Sequence, residues 1–224
     1  MAGSAAKLGR MNRVYLEVGR KKVFACSADW PGWCRSGKTE EAALDALIGY
    51  VPRYAVIAGR AGLDFAPGDP VVVEQVTGDA TTDFGAPSVT PQLDLEPVGA
   101  TEAAKAVALI RASWAALAEV SAASPEELRK GPRGGGRDRD KMVAHVIEAE
   151  RSYARSIGVR HKPFPLGTLN DPQALSAMRD EIADVLSRPS PGGPVARGWC
   201  ARYAARRIAW HVIDHIWEME DRAG

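Results

Sequence analysis

The sequence is poor in several features that would narrow its function at once. Of its 224 residues only three are cysteine and four are histidine. Cys26, Cys34 and Cys200 are odd in number and show no C-x-x-C spacing, which argues against a disulfide framework and against a cysteine zinc site. An excess of one charge is lacking too. The 29 basic residues face 28 acidic ones, and a net charge of +1 disfavours a dedicated nucleic-acid binder. No apolar run approaches the roughly 18 residues needed to cross a bilayer. Met1 to Arg10 lack the apolar segment of a secretory signal. These absences lead to the expectation of a cytoplasmic protein without membrane association.

What is present is ordinary in amount and uneven in arrangement. Apolar residues make up 46% and charged residues 25%, enough for one large domain or two small ones with proper cores. Residues 1–12 read as a disordered lead. Residues 13–25 read as two short strands, with Val14, Leu16 and Val18 alternating against Tyr15 and Glu17. After the turn-rich Asp29, Pro31 and Gly32, Thr39 is a good N-cap, followed by Glu40 and Glu41 at the positive end of a helix. One helix is expected from about Glu40 to Ala58, and Val71 to Val76 reads as a third strand. The region 13–76 is therefore expected to be an α+β module in the order β-β-α-β.

Residues 77–100 read as a linker, with Gly78, Gly85, Pro87, Pro91, Pro97 and Gly99 and no sustained period. From Thr101 the pattern turns helical. Four helices are expected at about 101–122, 138–157, 172–188 and 196–222, with proline and glycine between them. Residues 101–224 are thus expected to form an all-α antiparallel four-helix bundle.

All four histidines lie in the last eighty residues. On the last helix His211 and His215 are four apart, at the edge of the stripe Ile208, Val212, Ile216 and Met219, and Glu218 extends that edge. On the second bundle helix His145 sits at the edge of the stripe Met142, Val146, Ala149, Tyr153 and Ile157, with Ser152 and Ser156 on the same side. An i, i+4 histidine pair is the spacing by which one helix gives a metal two ligands, and a third histidine on a facing helix leaves an open position. Glu218 is then an orienting group, a further ligand or a base. The competing account is of ordinary half-buried histidines. His161, in the loop RHKPFP, falls outside the cluster.

DKMVAHVIEAERSYAR (140–155) and RRIAWHVIDHIWEMEDR (206–222) resemble the second and last helices of the DinB/YfiT-like superfamily. The resemblance covers about residues 101–222. It implies a four-helix bundle with a divalent metal on His145, His211 and His215, the ion being zinc, nickel, iron or manganese. It also implies a metal-dependent enzyme: a transferase or isomerase that uses a low-molecular-weight thiol such as mycothiol, or a hydrolase. Glu218, or less readily Asp214, would move protons. Separately, FACSADWPGWCRSGKTEEAALDAL (24–47) resembles the HicB-type antitoxin domain through Asp29, Pro31, Gly32, Gly37, Thr39, Glu41 and Ala42. That likeness implies the fold of the first module and a protein partner. No helix-turn-helix or ribbon-helix-helix accompanies it.

Three further features leave alternatives open. Tyr203, Trp210 and Trp217 are seven apart on the last helix, opposite its aliphatic stripe, so that helix needs cover on two sides. Either the first module or linker covers the aromatics, or they form a homodimer interface. Trp30-Pro31-Gly32-Trp33 is either a rigid turn over a small core or an aromatic lip at a ligand site. Arg129 to Lys141 is either a solvated loop or an anion-binding lid. Cys26 and Cys34 are expected as structural thiols. The reading that stands against the enzyme is a binding protein, in which the HicB-like module docks a protein partner and the bundle serves as dimerisation platform.

Overall fold

The structure is a computed structural model that describes residues 11–130, 138–164, 172–196 and 198–223. Most of the expected disordered lead lies outside the described residues. Strand β1 (Met11–Val18) already includes the last two positions of that lead, and Asn12 is buried, accepting from Ser27 Oγ at 2.6 Å. β2 (Val23–Ser27) pairs antiparallel with β1, and a further strand, β3 (Cys34–Gly37), pairs antiparallel with β2. β4 (Asp69–Thr77) pairs parallel with β1, so the sheet order is β3-β2-β1-β4.

The expected order β-β-α-β is therefore corrected to β-β-β-α-α-β. The four residues of β3, CRSG, are too short and too polar to show an alternation. The single helix also divides, into α1 (Glu40–Gly49) and α2 (Val51–Arg60). Thr39 caps α1 as expected, accepting from Ala42 N at 3.2 Å. The break comes at Tyr50 because Pro52 lacks an N–H and its ring disfavours helical backbone before it.

The central strands β1 and β2 are buried on both faces, while the edge strand β4 is largely exposed. Val14, Leu16, Val23 and Ala25 pack with Ala43 and Leu47 of α1 and Tyr54 of α2. The alternate residues Tyr15, Phe24, Cys26 and Cys34 pack with Leu93 and Trp210. Cys26 and Cys34 are register partners across β2 and β3 and are joined as a disulfide, which corrects the expectation of free thiols. The cysteine count therefore no longer argues for a reducing compartment.

Residues 77–100 are held to the sheet rather than left as a linker. They contain a short helix, α3 (Ala80–Phe84), and a 3-10 turn, Gln92–Leu95. The buried Glu17 carboxylate accepts from Thr82 Oγ1 at 2.5 Å, Ser88 N at 2.9 Å and Val89 N at 3.1 Å. Glu74 of β4 accepts from Gln92 N and Leu93 N in the same way.

Four long helices follow: α4 (Ala100–Ala123), α5 (Arg139–Ser156), α6 (Pro172–Leu186) and α7 (Ala201–Ala223). Arg202 pairs with Glu102, and Arg129 N donates to Arg222 O, so α4 and α7 run in the same direction. Val98 bridges to Ser190, and Trp199 N donates to Ser156 O, so α5 and α6 both end where α4 and α7 begin. The bundle is antiparallel between α4 and α5 and between α6 and α7, while α5 and α6 run parallel. α4 is long and apolar enough on average to pass for a membrane span, with mean hydropathy 1.4, although Lys105, Arg111 and Glu119 interrupt its apolar run. Its face Ala103, Leu109, Ile110 and Leu117 lies in the same core as Ala204, Ile208 and Val212 of α7.

The aromatic stripe of α7 is covered by the first module. Trp210 meets Phe24 edge-on at 6.2 Å, Trp217 meets Tyr50 at 4.8 Å, and Tyr203 Oη donates to Ser88 O at 2.9 Å. All three are buried within the chain, so the stripe is not available as a dimer interface. The Trp30–Trp33 turn lies in the core as well, its rings packed with Tyr54 and Phe65. Gly32 has φ +89 and lies so close to α7 that a Cβ would stand 2.7 Å from Ile213 Cδ1.

One buried charge pair joins the two parts. Arg206 of α7 donates to Asp94 Oδ2 and to Tyr15 Oη. Burial alone would lower the Arg206 pKa, but Asp94 and Tyr15 outweigh it and hold the guanidinium charged. Removing one partner strands the other. Asp94→Ala should cost about 3–5 kcal/mol in urea unfolding, and Asp94→Leu with Arg206→Met should recover most of that loss.

Another buried carboxylate, Glu150 of α5, accepts from Trp114 Nε1 and pairs with Arg179 at 2.8 Å. Desolvation raises its pKa despite Arg179 and Trp114. The folded state then binds more protons than the unfolded one, so this contribution to stability is full at low pH and is lost as pH rises through the folded pKa. Glu150→Gln should therefore gain on the parent as pH rises above about 4.3, the ordinary glutamate value, in unfolding measured from pH 4 to 7.

Candidate metal centre

The register of α5 against α7 brings the histidines together. Trp199 N donates to Ser156 O at 3.0 Å and pins the end of α5 beside the start of α7. His145 lies eleven residues back from that pin and His211 twelve residues beyond it. At about 1.5 Å per residue they stand at the same height, and His215 follows one turn later. The ring centroids of His145 lie 5.2 Å from those of both His211 and His215, and the latter two are 4.8 Å apart.

One ligand atom from each ring lies within 4.8 Å of the others. Two nitrogens on one ion at about 2.1 Å and a tetrahedral angle stand roughly 3.4 Å apart, so small ring rotations suffice to bring all three donors to one ion. Three imidazoles are a donor set suited to zinc, nickel or iron, so the residues fit a divalent metal.

Glu218 is placed to orient His215. Its Oε2 lies 2.8 Å from His215 Nδ1, and its Oε1 accepts from Arg222 Nη2 at 2.7 Å. A carboxylate only accepts, so Nδ1 carries the proton of the neutral ring and the Nε2 lone pair is left for a ligand. Asp214, the alternative proton carrier, pairs with Arg35 of β3 at 2.9 Å. Desolvation pushes its pKa up and Arg35 draws it down, with a net rise.

The cluster forms one wall of an open cleft of about 1180 Å³. The first module supplies another wall through Lys22, Arg35 and residues 84–86. Arg35 also lies 3.9 Å above the Tyr50 ring, which holds it beside α7. Tyr153, expected in the core stripe of α5, instead reaches the cleft and meets the His211 ring at 5.6 Å. Burial raises its pKa, against a hydrogen bond and charge from Arg207. Ser152 and Ser156, expected on the same side as His145, do not line the cleft.

Sequence reasoning missed Arg35, Lys22 and Arg207 as site residues. Arg207 carried a signal, since it lies four residues before His211. Arg35 and Lys22 carried none, because only the docking of the sheet brings them there. Arg129 and Lys130 line the cleft. Residues 131–137 of the same charged segment lie outside the described residues, and with them most of the lid reading. His161 stands apart from the triad, its Nε2 3.2 Å from Glu181 Oε1.

No protein-family model, curated protein or solved structure matches the chain. The functional reading therefore rests on the site itself. In metal-free protein at alkaline pH, long-range proton–nitrogen NMR should show His215 as the Nδ1–H tautomer, and Glu218→Ala should abolish that preference.

Proposed function

We propose that the chain is a divalent-metal-dependent enzyme of the DinB/YfiT-like class, with its metal on His145, His211 and His215. The observation that carries this reading is the convergence of three imidazoles from two helices on the wall of an open cleft. A bound metal would supply Lewis acidity and would lower the pKa of a water or thiol in its open position to near neutrality. The thiol would be a small cofactor such as mycothiol, and the reaction a group transfer, an isomerisation or a hydrolysis.

The protein's own part follows from the geometry. Glu218 holds His215 in one tautomer, and Arg222 holds Glu218. Both Glu218 oxygens are thereby engaged, so its role is to position His215 rather than to shuttle protons. Arg35 keeps Asp214 turned towards β3. Tyr153 and the first module supply walls of the cleft around the triad. A site of this kind needs both parts of the chain, which gives the α+β module a task in the enzyme without a protein partner.

Purified protein should hold close to one divalent metal per chain by elemental analysis, and His211→Ala should remove it. Full retention of metal in that variant would defeat the assignment. A parent that binds no added zinc, nickel, iron or manganese would instead favour the non-enzymatic binding module.

A further inference from the structure

One buried cation at the cleft, Arg207, has no ion-pair partner among the described residues. Arg207 is only 8% exposed, and its Nη1 has no hydrogen-bond partner. No carboxylate among the described residues forms an ion pair with it. The three acids of the cleft are engaged elsewhere: Asp214 with Arg35, Glu218 with His215 and Arg222, and Asp221 with Arg53. Burying a guanidinium without an acid is costly, and it is most costly when the site holds no anion.

The surroundings keep this cation in place. Its Cζ lies 5.2 Å from the Tyr153 ring and 4.8 Å from the Trp210 ring. Trp210 also lines the cleft, and its buried Nε1 has no hydrogen-bond partner among the described residues. Lys22 and Lys130 add positive charge to the same walls. Arg207 precedes His211 by one helical turn on the same face, about 6 Å along the axis.

We propose that Arg207 Nη1 and Trp210 Nε1 form an oxyanion subsite beside the histidine triad, which receives the carboxylate or phosphate group of a small-molecule substrate. The fork of a guanidinium matches both groups, and an indole N–H adds a neutral donor. The anionic end of the substrate is anchored about one turn from the triad, and its reacting end lies at the histidines. The name of substrate rests on reading the triad as a reaction centre. The anion site itself does not, so it is tested without metal.

Thermal unfolding of metal-free protein is followed while inorganic phosphate, or separately succinate, replaces chloride at constant ionic strength. The Tm of the parent should rise with one of the two, by roughly 3–6 °C when the anion reaches ten times its Kd. The more effective anion identifies the group. Arg207→Met keeps the stem but not the charge. Without phosphate or succinate it should melt at or above the parent temperature, and it should lose the response. Its metal content, measured in parallel, should equal that of the parent. If Arg207→Met does not fold, Arg207→Lys keeps the charge without the fork and should weaken the Kd about tenfold by calorimetry. A parent that responds to neither anion overturns the proposal. So does a response unchanged in Arg207→Met, or a Kd unchanged in Arg207→Lys. Loss of the triad metal assignment by His211→Ala would leave this outcome intact.

Discussion

The last helix has to be covered on two sides, and the rest of the molecule is arranged around that need. One side of α7 carries Ala204, Ile208, Val212 and Ile216 into the bundle core. The other carries Tyr203, Trp210 and Trp217, whose burial in water-free contact is worth a large share of any small domain's stability. The sheet, the segment after it and Tyr50 cover that second side. The α+β module is thus part of the core of the bundle, and Gly32 permits its turn to lie directly against α7.

The site is a consequence of that double packing. Polar residues of α7 are confined to the borders between its two apolar sides. Arg206 lies at one place where the module closes over it and is matched there by Asp94. Arg207, His211, Asp214, His215 and Glu218 lie along the other border, where module and bundle part to leave the cleft. Carboxylates are supplied or occupied along this seam in an uneven way. Arg206 has an acid within the chain and is structural, whereas Arg207 pairs with no carboxylate among the described residues and lines the cleft.

Much of this was legible from spacing. The four bundle helices are long and keep their period, so proline and glycine marked their limits to within a few residues. The pair His211 and His215 needed only helical geometry. The third histidine needed a register, which Trp199 and Ser156 set through a backbone contact that no periodicity shows. The division of α1 from α2 was marked by Pro52, a signal outweighed in the reading by the apolar stripe across it. Residues 77–100 have the composition of a linker because their order comes from outside, from the carboxylates of Glu17 and Glu74. β3 and the Cys26–Cys34 link have the same origin, since both depend on which strand lies beside β2.

By itself the sequence determined what local geometry controls: the helices of the bundle, the capping of α1 by Thr39, the i, i+4 histidine pair, and an aromatic stripe that required a partner surface. Those features depend on residues within a turn or two of one another. The tertiary structure decided which surface covers the stripe, the parallel course of α5 and α6, the height of His145 against His211, and which arginine of the Arg206–Arg207 pair is neutralised. Each of these depends on contacts between residues far apart in the chain, where the pairing is chosen by the packing of whole elements.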